Sequence, residues 1–93
     1  MDKHYGGFVW NVEKEKVNVA KHGVDFAAAS RAFLDPKRKI FLNLKHSGTE
    51  RRFYCIGSVG GKILTVRFVY RDGKIRIFGA GHWRGGKRYY ENK

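Results

Sequence analysis

The chain has 93 residues, of which 42% are apolar and 15% aromatic, so residues 1–93 are expected to form one ordered domain with one core. A domain this small excludes a large enclosed pocket or a cleft between domains, and leaves a shallow surface groove as the form of any site. Twenty Lys and Arg against eight Asp and Glu give a net charge of +12. One cysteine, no signal-peptide pattern and no apolar run of about 18 residues predict a cytoplasmic protein without a membrane span.

The positive charge is confined to the second part of the sequence. Residues 1–36 hold five basic and five acidic side chains, whereas residues 37–93 hold fifteen basic and three acidic ones. Such segregation predicts a surface that binds a polyanion. Solubility alone is the alternative, although solubility does not require segregation. An anionic membrane surface is a weaker alternative, because no basic amphipathic helix is visible.

The first 36 residues predict one strand and two helices. A strand is expected over residues 5–10, which are rich in aromatic and β-branched side chains. Asn11 suits the cap of a helix that ends at about residue 22, before Gly23. A second helix begins behind Asp25 and stops at Pro36.

The remaining sequence predicts strands. Gly60-Gly61 and Asp72-Gly73 read as two-residue hairpin turns. The order β-α-α-β-β-β-β predicts an α+β domain, with an antiparallel sheet and two N-terminal helices packed on one face. The tail from Gly81 has room for a short C-terminal helix. The four predicted strands cover residues 40–44, 52–59, 63–70 and 74–80.

Strand alternation then assigns side chains to the two faces of the sheet. With two-residue turns, Arg67 lies opposite Tyr54 on one side and opposite Phe78 on the other, and Val69 lies opposite Arg76. The core face is predicted to carry Phe53, Cys55, Leu64, Val66, Phe68, Tyr70, Ile75 and Ile77. The outer face is predicted to carry Arg52, Tyr54, Ile56, Thr65, Arg67, Val69, Arg76 and Phe78.

The outer face predicts a platform for phosphodiesters. Arg52, Arg67 and Arg76 would gather near its middle, and Arg67 and Arg76 would be diagonal neighbours. A guanidinium group offers a planar fork of donors that fits a phosphate. Tyr54 and Phe78 offer rings on which a base can stack. The alternative is an ordinary solvated face.

The titratable side chains suggest proton transfer and no metal site. The histidines and Cys55 lack metal-ligand spacing, and Cys55 falls on the core face, so neither metal nor cofactor is predicted. His82 can reach the edge of the basic face, and His46 lies in the loop before Glu50. His22 ends a helix, where capping is the simpler role.

This set suits metal-free cleavage of RNA, in which the 2′-hydroxyl attacks its own phosphorus. The reaction needs a base near the 2′-oxygen, an acid near the leaving 5′-oxygen and cations around the phosphate. Histidine suits the proton transfers, and Glu50 could be the base with a suitable pKa. DNA has no 2′-hydroxyl and would be spared.

The sequence resembles the BrnT toxin family, the toxin half of a bacterial type II toxin–antitoxin system. The resemblance covers residues 8 to 91 and depends on the order and spacing of several stretches. These are Phe8–Asn11, Lys21–Phe26, Ala29–Phe33 with Asp35-Pro36, His46 to Glu50-Arg51, Phe53–Gly57, and Ile75–Ile77 before a turn that contains Ala80.

The resemblance implies a RelE-like α+β fold and a metal-independent ribonuclease that blocks translation. It also implies neutralisation by a BrnA-type antitoxin with a ribbon-helix-helix part, and repression of the operon by the complex, which reaches operator DNA only through the antitoxin. The positions that match family motifs and carry suitable chemistry are Lys21, His22, Glu50, Arg51 and Arg76. The excess charge predicts that an acidic antitoxin segment covers the basic face, with two toxins on an antitoxin dimer.

One stretch departs from the family pattern. The commoner Ser-Ala-Arg after the last strand is here Gly79-Ala80-Gly81, followed by His82-Trp83-Arg84. Two expectations follow: His82 or Arg84 takes the role of the missing arginine, or the activity is weaker. The predicted catalytic residues are therefore Arg76, His82, Glu50, Arg67 and Arg51, although alternation points Arg51 towards the core. The predicted RNA-binding residues are Arg52, Tyr54, Lys21, His22, Arg84 and Trp83.

Three functions compete at this point. The first is an endoribonuclease toxin that acts on free RNA or on the ribosome. The second is a non-catalytic RNA-binding module, which would bind with a steep salt dependence and leave RNA intact. The third is a subunit whose basic face serves only an acidic protein partner.

Overall fold

The computed structural model describes residues 1–45 and 48–92, which form an α+β fold with six strands in one sheet. The strands are β1 (Asp2–Tyr5), β2 (Phe8–Asn11), β3 (Lys39–Leu42), β4 (Phe53–Val59), β5 (Lys62–Arg71) and β6 (Lys74–Gly81). The α-helices are α1 (Val12–His22), α2 (Phe26–Ser30) and α3 (Arg84–Glu91), and a 3-10 turn over Arg31–Leu34 follows α2. Across the sheet the strands run β1-β2-β6-β5-β4-β3.

The sheet is mixed, so the prediction of a purely antiparallel sheet is wrong at one pair. β2 runs parallel to β6, with Phe8 opposite Ile75 and Val9 opposite Arg76, whereas the other neighbours are antiparallel. β1 is an additional edge strand that the sequence pattern does not predict. All four of its side chains are exposed, so it has no alternation of apolar and polar residues to reveal it.

The two N-terminal helices pack in different ways. Phe26 and Ala29 of α2 and Ala32 of the 3-10 turn are fully buried in the core. α1 instead follows β2 and lies beside the end of β6 that β2 does not pair with. Its buried residue is Asn18, whose amide donates to the Ala80 carbonyl at 2.9 Å and whose oxygen accepts from the Ala80 N–H at 3.1 Å. Val17 of the same helix is 54% exposed, so α1 contributes little apolar surface to the core.

The assignment of the core face is confirmed at its centre. Leu64, Val66, Phe68 and Ile77 are buried there together with Cys55. Burial raises the pKa of the Cys55 thiol to about 12, so this cysteine is a neutral core residue.

The outer face is less open than the sequence predicts, because α3 packs across β4 and β5. Thr65 is buried against Gly86 of α3, and Ile56 is also buried. The basic side chains are therefore confined to the part of this face that α3 leaves uncovered. No helix within residues 1–45 and 48–92 is long and apolar enough to cross a membrane.

Asp35 ties α3 to the rest of the domain. Its carboxylate accepts hydrogen bonds from the Tyr90 hydroxyl, from the Ser58 N–H at 2.7 Å and from the Lys37 N–H at 2.8 Å. The Tyr90 hydrogen bond, followed by the two backbone N–H groups, lowers the pKa of Asp35. The ionised carboxylate therefore stabilises the folded state.

We expect this stabilisation to depend on pH. A carboxyl group whose folded-state pKa is lowered stabilises the fold above its unfolded-state pKa of about 3.9, and the effect is lost as the pH falls through the folded-state pKa. Urea unfolding between about pH 3 and pH 7 should show a fall in stability at the acid end. An Asp35→Asn variant should be less stable at neutral pH and should lose less on acidification. If the wild type and the Asp35→Asn variant lost the same free energy of unfolding at the acid end, the pH dependence could not be assigned to Asp35.

Candidate functional site

A β-bulge in β6 shapes the centre of the outer face. The register between β5 and β6 shifts after Arg67, so that Phe68 lies opposite Ile77 while Arg67 lies opposite Gly79. The predicted pairing of Arg67 with Phe78 is therefore wrong, because the extra residue of the bulge moves the register by one. The pairings of Arg67 with Tyr54 and of Val69 with Arg76 are confirmed.

Cationic and aromatic side chains alternate beside the bulge, and we call this set the arginine–aromatic row. The Arg52 and Arg67 guanidinium carbons lie 5.4 and 5.6 Å from the centre of the Phe78 ring. Arg67 also lies 5.3 Å from the centre of the Trp83 ring, and the His22 ring meets Trp83 edge to face at 5.1 Å. These contacts hold the guanidinium groups in place through cation–π attraction without neutralising their charge.

Arg67 is the cation in this row that is best placed to bind an anion. Its side chain is half-buried, and its Nε atom is buried without a hydrogen-bond partner among the described residues. No carboxylate in the described part of the chain pairs with it. A guanidinium charge that no carboxylate neutralises favours the binding of an anionic ligand.

Two other arginines are already paired with carboxylates. Arg71 binds both oxygens of Glu50 at 2.6 and 2.9 Å, and Arg76 binds both oxygens of Asp2 at 2.7 and 3.2 Å. These hydrogen bonds lower the pKa of Glu50 and of Asp2. Glu50 is therefore ionised near neutral pH and is a weak base. A phosphate can use the Arg76 fork only by replacing Asp2.

The predicted site residues fall into three concavities. One of about 340 Å³ contains Glu50, Arg52 and Arg76. A second of about 360 Å³ contains Lys21, His22 and Arg67 with Phe78. A third of about 470 Å³ contains His82, Trp83 and Arg84, together with Lys62 and Lys87.

The remaining candidates lie apart from these groups. Arg51 is exposed and precedes β4. Tyr54 lies on the outer face, where its hydroxyl accepts from the Asn43 amide at 3.1 Å. His46, a predicted candidate for proton transfer, lies outside the residues that the structure describes. Within those ranges, no three His, Cys, Asp or Glu side chains form a group suited to a metal ion.

The His82 ring is oriented by the main chain. Its Nδ1 atom lies 3.0 Å from the Ile63 carbonyl oxygen. A carbonyl can only accept, so Nδ1 carries the proton and Nε2 is the nitrogen available for proton transfer. Five residues of β6 lie between Arg76 and His82, and the two side chains line different concavities.

Gly81, where the sequence departs from the pattern of the family it resembles, is the last residue of β6 and lies against Trp83. A Cβ atom at Gly81 would lie 2.9 Å from two carbons of the Trp83 ring. Gly81 therefore allows the indole to lie against the end of β6, where Arg67 then stacks on it. Asp2 and Arg71 also shape the site and were not predicted. Asp2 is an exposed residue near the N-terminus, and no pattern in the sequence indicates that it pairs with Arg76.

Gly79 gives the Arg67 side chain its position, and this can be tested. A Cβ atom at Gly79 would lie 2.5 to 2.9 Å from three guanidinium atoms of Arg67. In a Gly79→Ala variant the flexible guanidinium should move. RNA affinity should then fall about tenfold, with a change in unfolding free energy of about 1 kcal/mol or less.

Titration of a labelled RNA and urea unfolding would measure the two effects. Gly7→Ala is the matched control, since a Cβ atom there meets nothing within 4 Å. Unchanged RNA affinity in the Gly79→Ala variant would mean that the position of Arg67 does not matter for binding.

One comparison with known proteins identifies a family. A search of curated proteins finds no significant match. A family model described as "Ribonuclease toxin, BrnT, of type II toxin-antitoxin system" matches residues 10–85, which include the arginine–aromatic row. The chain therefore belongs to the BrnT family of ribonuclease toxins of type II toxin–antitoxin systems.

Proposed function

We propose that this protein is a metal-independent endoribonuclease toxin that acts in the cytoplasm and cuts RNA at the arginine–aromatic row. The half-buried Arg67, which has no carboxylate partner among the described residues, is the observation that carries the proposal. Membership of a ribonuclease toxin family supports it.

The scissile phosphate binds to Arg67 in this proposal. Guanidinium groups stabilise the charge that develops on the phosphate in the transition state. Lys21 and His22 line the same concavity as Arg67 and supply further charge and a titratable ring. Arg52 also contacts the Phe78 ring and is proposed to bind a neighbouring phosphate.

The chemical step is a transfer of the phosphoryl group within the RNA strand. The 2′-oxygen forms a bond to phosphorus as a base takes its proton, and the bond from phosphorus to the 5′-oxygen breaks as an acid protonates that oxygen. The products are a 2′,3′-cyclic phosphate and a 5′-hydroxyl. The proposed proton-transfer groups are His22, whose ring contacts Trp83, and His82, which lines another concavity together with Trp83. Glu50 is proposed to position Arg71.

Expression of the protein in a bacterium without the antitoxin tests this function. Growth should stop on induction and should continue with Arg67→Met. Arg76→Ala and His82→Ala should each weaken the arrest, and Arg31→Met, an exposed site outside the row, should not. Undiminished arrest by all three site variants, at equal protein levels, would refute the site assignment.

We also propose that the antitoxin is of the BrnA type, with a ribbon-helix-helix part through which the complex reaches operator DNA and represses its own operon. The charge of +12 favours an acidic antitoxin segment over the basic face. Two toxins on an antitoxin dimer are expected. Sedimentation of the co-expressed pair as a one-to-one complex would count against this assembly.

A further inference from the structure

We propose that a groove between the sheet and α3 binds one nucleobase of the RNA beside the phosphate held by Arg67. This inference rests on the proposed function and adds a base-binding subsite to it. The groove, which we call the aromatic groove, has a volume of about 330 Å³. It is lined mainly by Phe41, Tyr54, Thr65, Trp83, Gly86 and Tyr89.

The aromatic groove offers ring surfaces to solvent. The Phe41 ring lies 4.6 Å from the Tyr89 ring and 5.2 Å from the Tyr54 ring, in tilted arrangements. Tyr89 is nevertheless 47% exposed. Exposed aromatic clusters are typical of binding surfaces, and every nucleobase has a flat face that can stack on such rings.

The groove is held in shape by polar contacts of α3. The Lys39 ammonium group donates to the Tyr89 carbonyl at 2.8 Å and to the Asn92 carbonyl at 2.7 Å. Tyr90 is held by Asp35. The groove is therefore formed before a ligand arrives, which lowers the entropic cost of binding.

A polar group without a partner lies in the same groove. Thr65 is 5% exposed, and its hydroxyl has no hydrogen-bond partner among residues 1–45 and 48–92. It packs against the main chain of Gly86, where an added Cβ atom would lie 1.8 Å from the hydroxyl oxygen. Thr65 and Gly86 therefore let α3 lie close to the sheet, and both residues form part of the groove lining.

The aromatic groove is next to the proposed phosphate position. Tyr54 lies directly opposite Arg67 in the pairing of β4 with β5, and Trp83 forms both a wall of the groove and the ring under Arg67. A nucleotide has one anionic and one flat aromatic part, which these two neighbouring features match. This favours an RNA base over an apolar segment of a partner protein.

Fluorescence of 2-aminopurine in a 2′-O-methyl RNA hexamer, which cannot be cleaved by 2′-hydroxyl attack, tests the proposal. Stacking in the groove should quench the fluorescence at one position of the probe. Tyr89→Ala should abolish the quench and weaken binding about tenfold. Tyr5→Ala is the matched control. Tyr5 lies on β1, far from the groove, is 45% exposed and packs on one other ring, that of Trp10.

Hexamers with one abasic position separate base binding from an indirect effect on structure. Removing the base that enters the groove should weaken wild-type binding about tenfold and should have no effect on Tyr89→Ala. Equal losses in both proteins would overturn the proposal. So would a Tyr89→Ala protein that binds RNA normally but no longer binds the antitoxin. Ribonuclease activity is measured separately with unmodified RNA, so that an inactive wild type would refute the proposed function and leave the binding result to stand.

Discussion

Replacing Arg67 by methionine is expected to slow RNA cleavage by about 100- to 1,000-fold. Arg67 is the half-buried guanidinium of the row that no described carboxylate neutralises, so it can supply its full charge to a phosphate. Methionine keeps the apolar stem between Phe78 and Trp83, which preserves packing and removes the charge. Single-turnover cleavage of a labelled RNA is the measurement.

Two further variants make this result specific. Arg67→Lys retains the charge but not the planar fork and should recover part of the rate. Arg31→Met removes one exposed arginine outside the row and should leave the rate unchanged. A wild-type rate in Arg67→Met, with an unchanged unfolding midpoint, would show that the reaction occurs elsewhere on the protein.

Replacing Asn18 by alanine is expected to lower the free energy of unfolding by about 3 kcal/mol or more. The Asn18 side chain makes two hydrogen bonds to the main chain of Ala80 and one, at 2.9 Å, to the Val24 carbonyl. Ala80 is fully buried, so its N–H and carbonyl would be left without partners. Since a domain has only roughly 5–15 kcal/mol of stability in total, much of it would be lost.

Urea unfolding followed by circular dichroism measures this loss. Lys16→Ala on the same helix is the control, because Lys16 is exposed and makes only a loose 3.7 Å ion pair with Glu13. The free energy of unfolding of Lys16→Ala should differ from that of the wild type by no more than about 0.5 kcal/mol. A similar small effect for Asn18→Ala would mean that α1, which carries Lys21 and His22, is not anchored through Asn18.

The hairpin chemistry and the helix caps of this fold were predictable from sequence. The Asp72-Gly73 turn fixed the pairing of Val69 with Arg76, and Asn11 caps α1 through the Lys14 N–H as expected. These features are encoded by a few adjacent residues whose local chemistry has one favoured structure.

Features that depend on distant contacts were not predictable. The bulge at Phe78 inserts one extra residue but leaves the alternation of apolar and polar residues along β6 almost unchanged. The parallel pairing of β2 with β6 depends on the path of the chain through α1. The pairing of Asp2 with Arg76 joins residues 74 positions apart. Arg67 was predicted as a phosphate ligand. The sequence did not show that Arg71 and Arg76 pair with carboxylates whereas Arg67 does not, and the structure was needed to see this difference.

The most direct test of a metal-free ribonuclease at the arginine–aromatic row is a cleavage assay in excess EDTA. Purified, antitoxin-free protein is incubated with a labelled RNA and with its all-deoxy counterpart, beside the Arg67→Met protein. We predict that only the RNA is cut, that its fragments end in a 2′,3′-cyclic phosphate, and that Arg67→Met is defective. A second arm supplies ribosome-bound mRNA in magnesium buffer. Tight binding with intact RNA in both arms would contradict the account and identify a non-catalytic RNA-binding module, and cleavage of the deoxy strand would contradict attack by the 2′-hydroxyl.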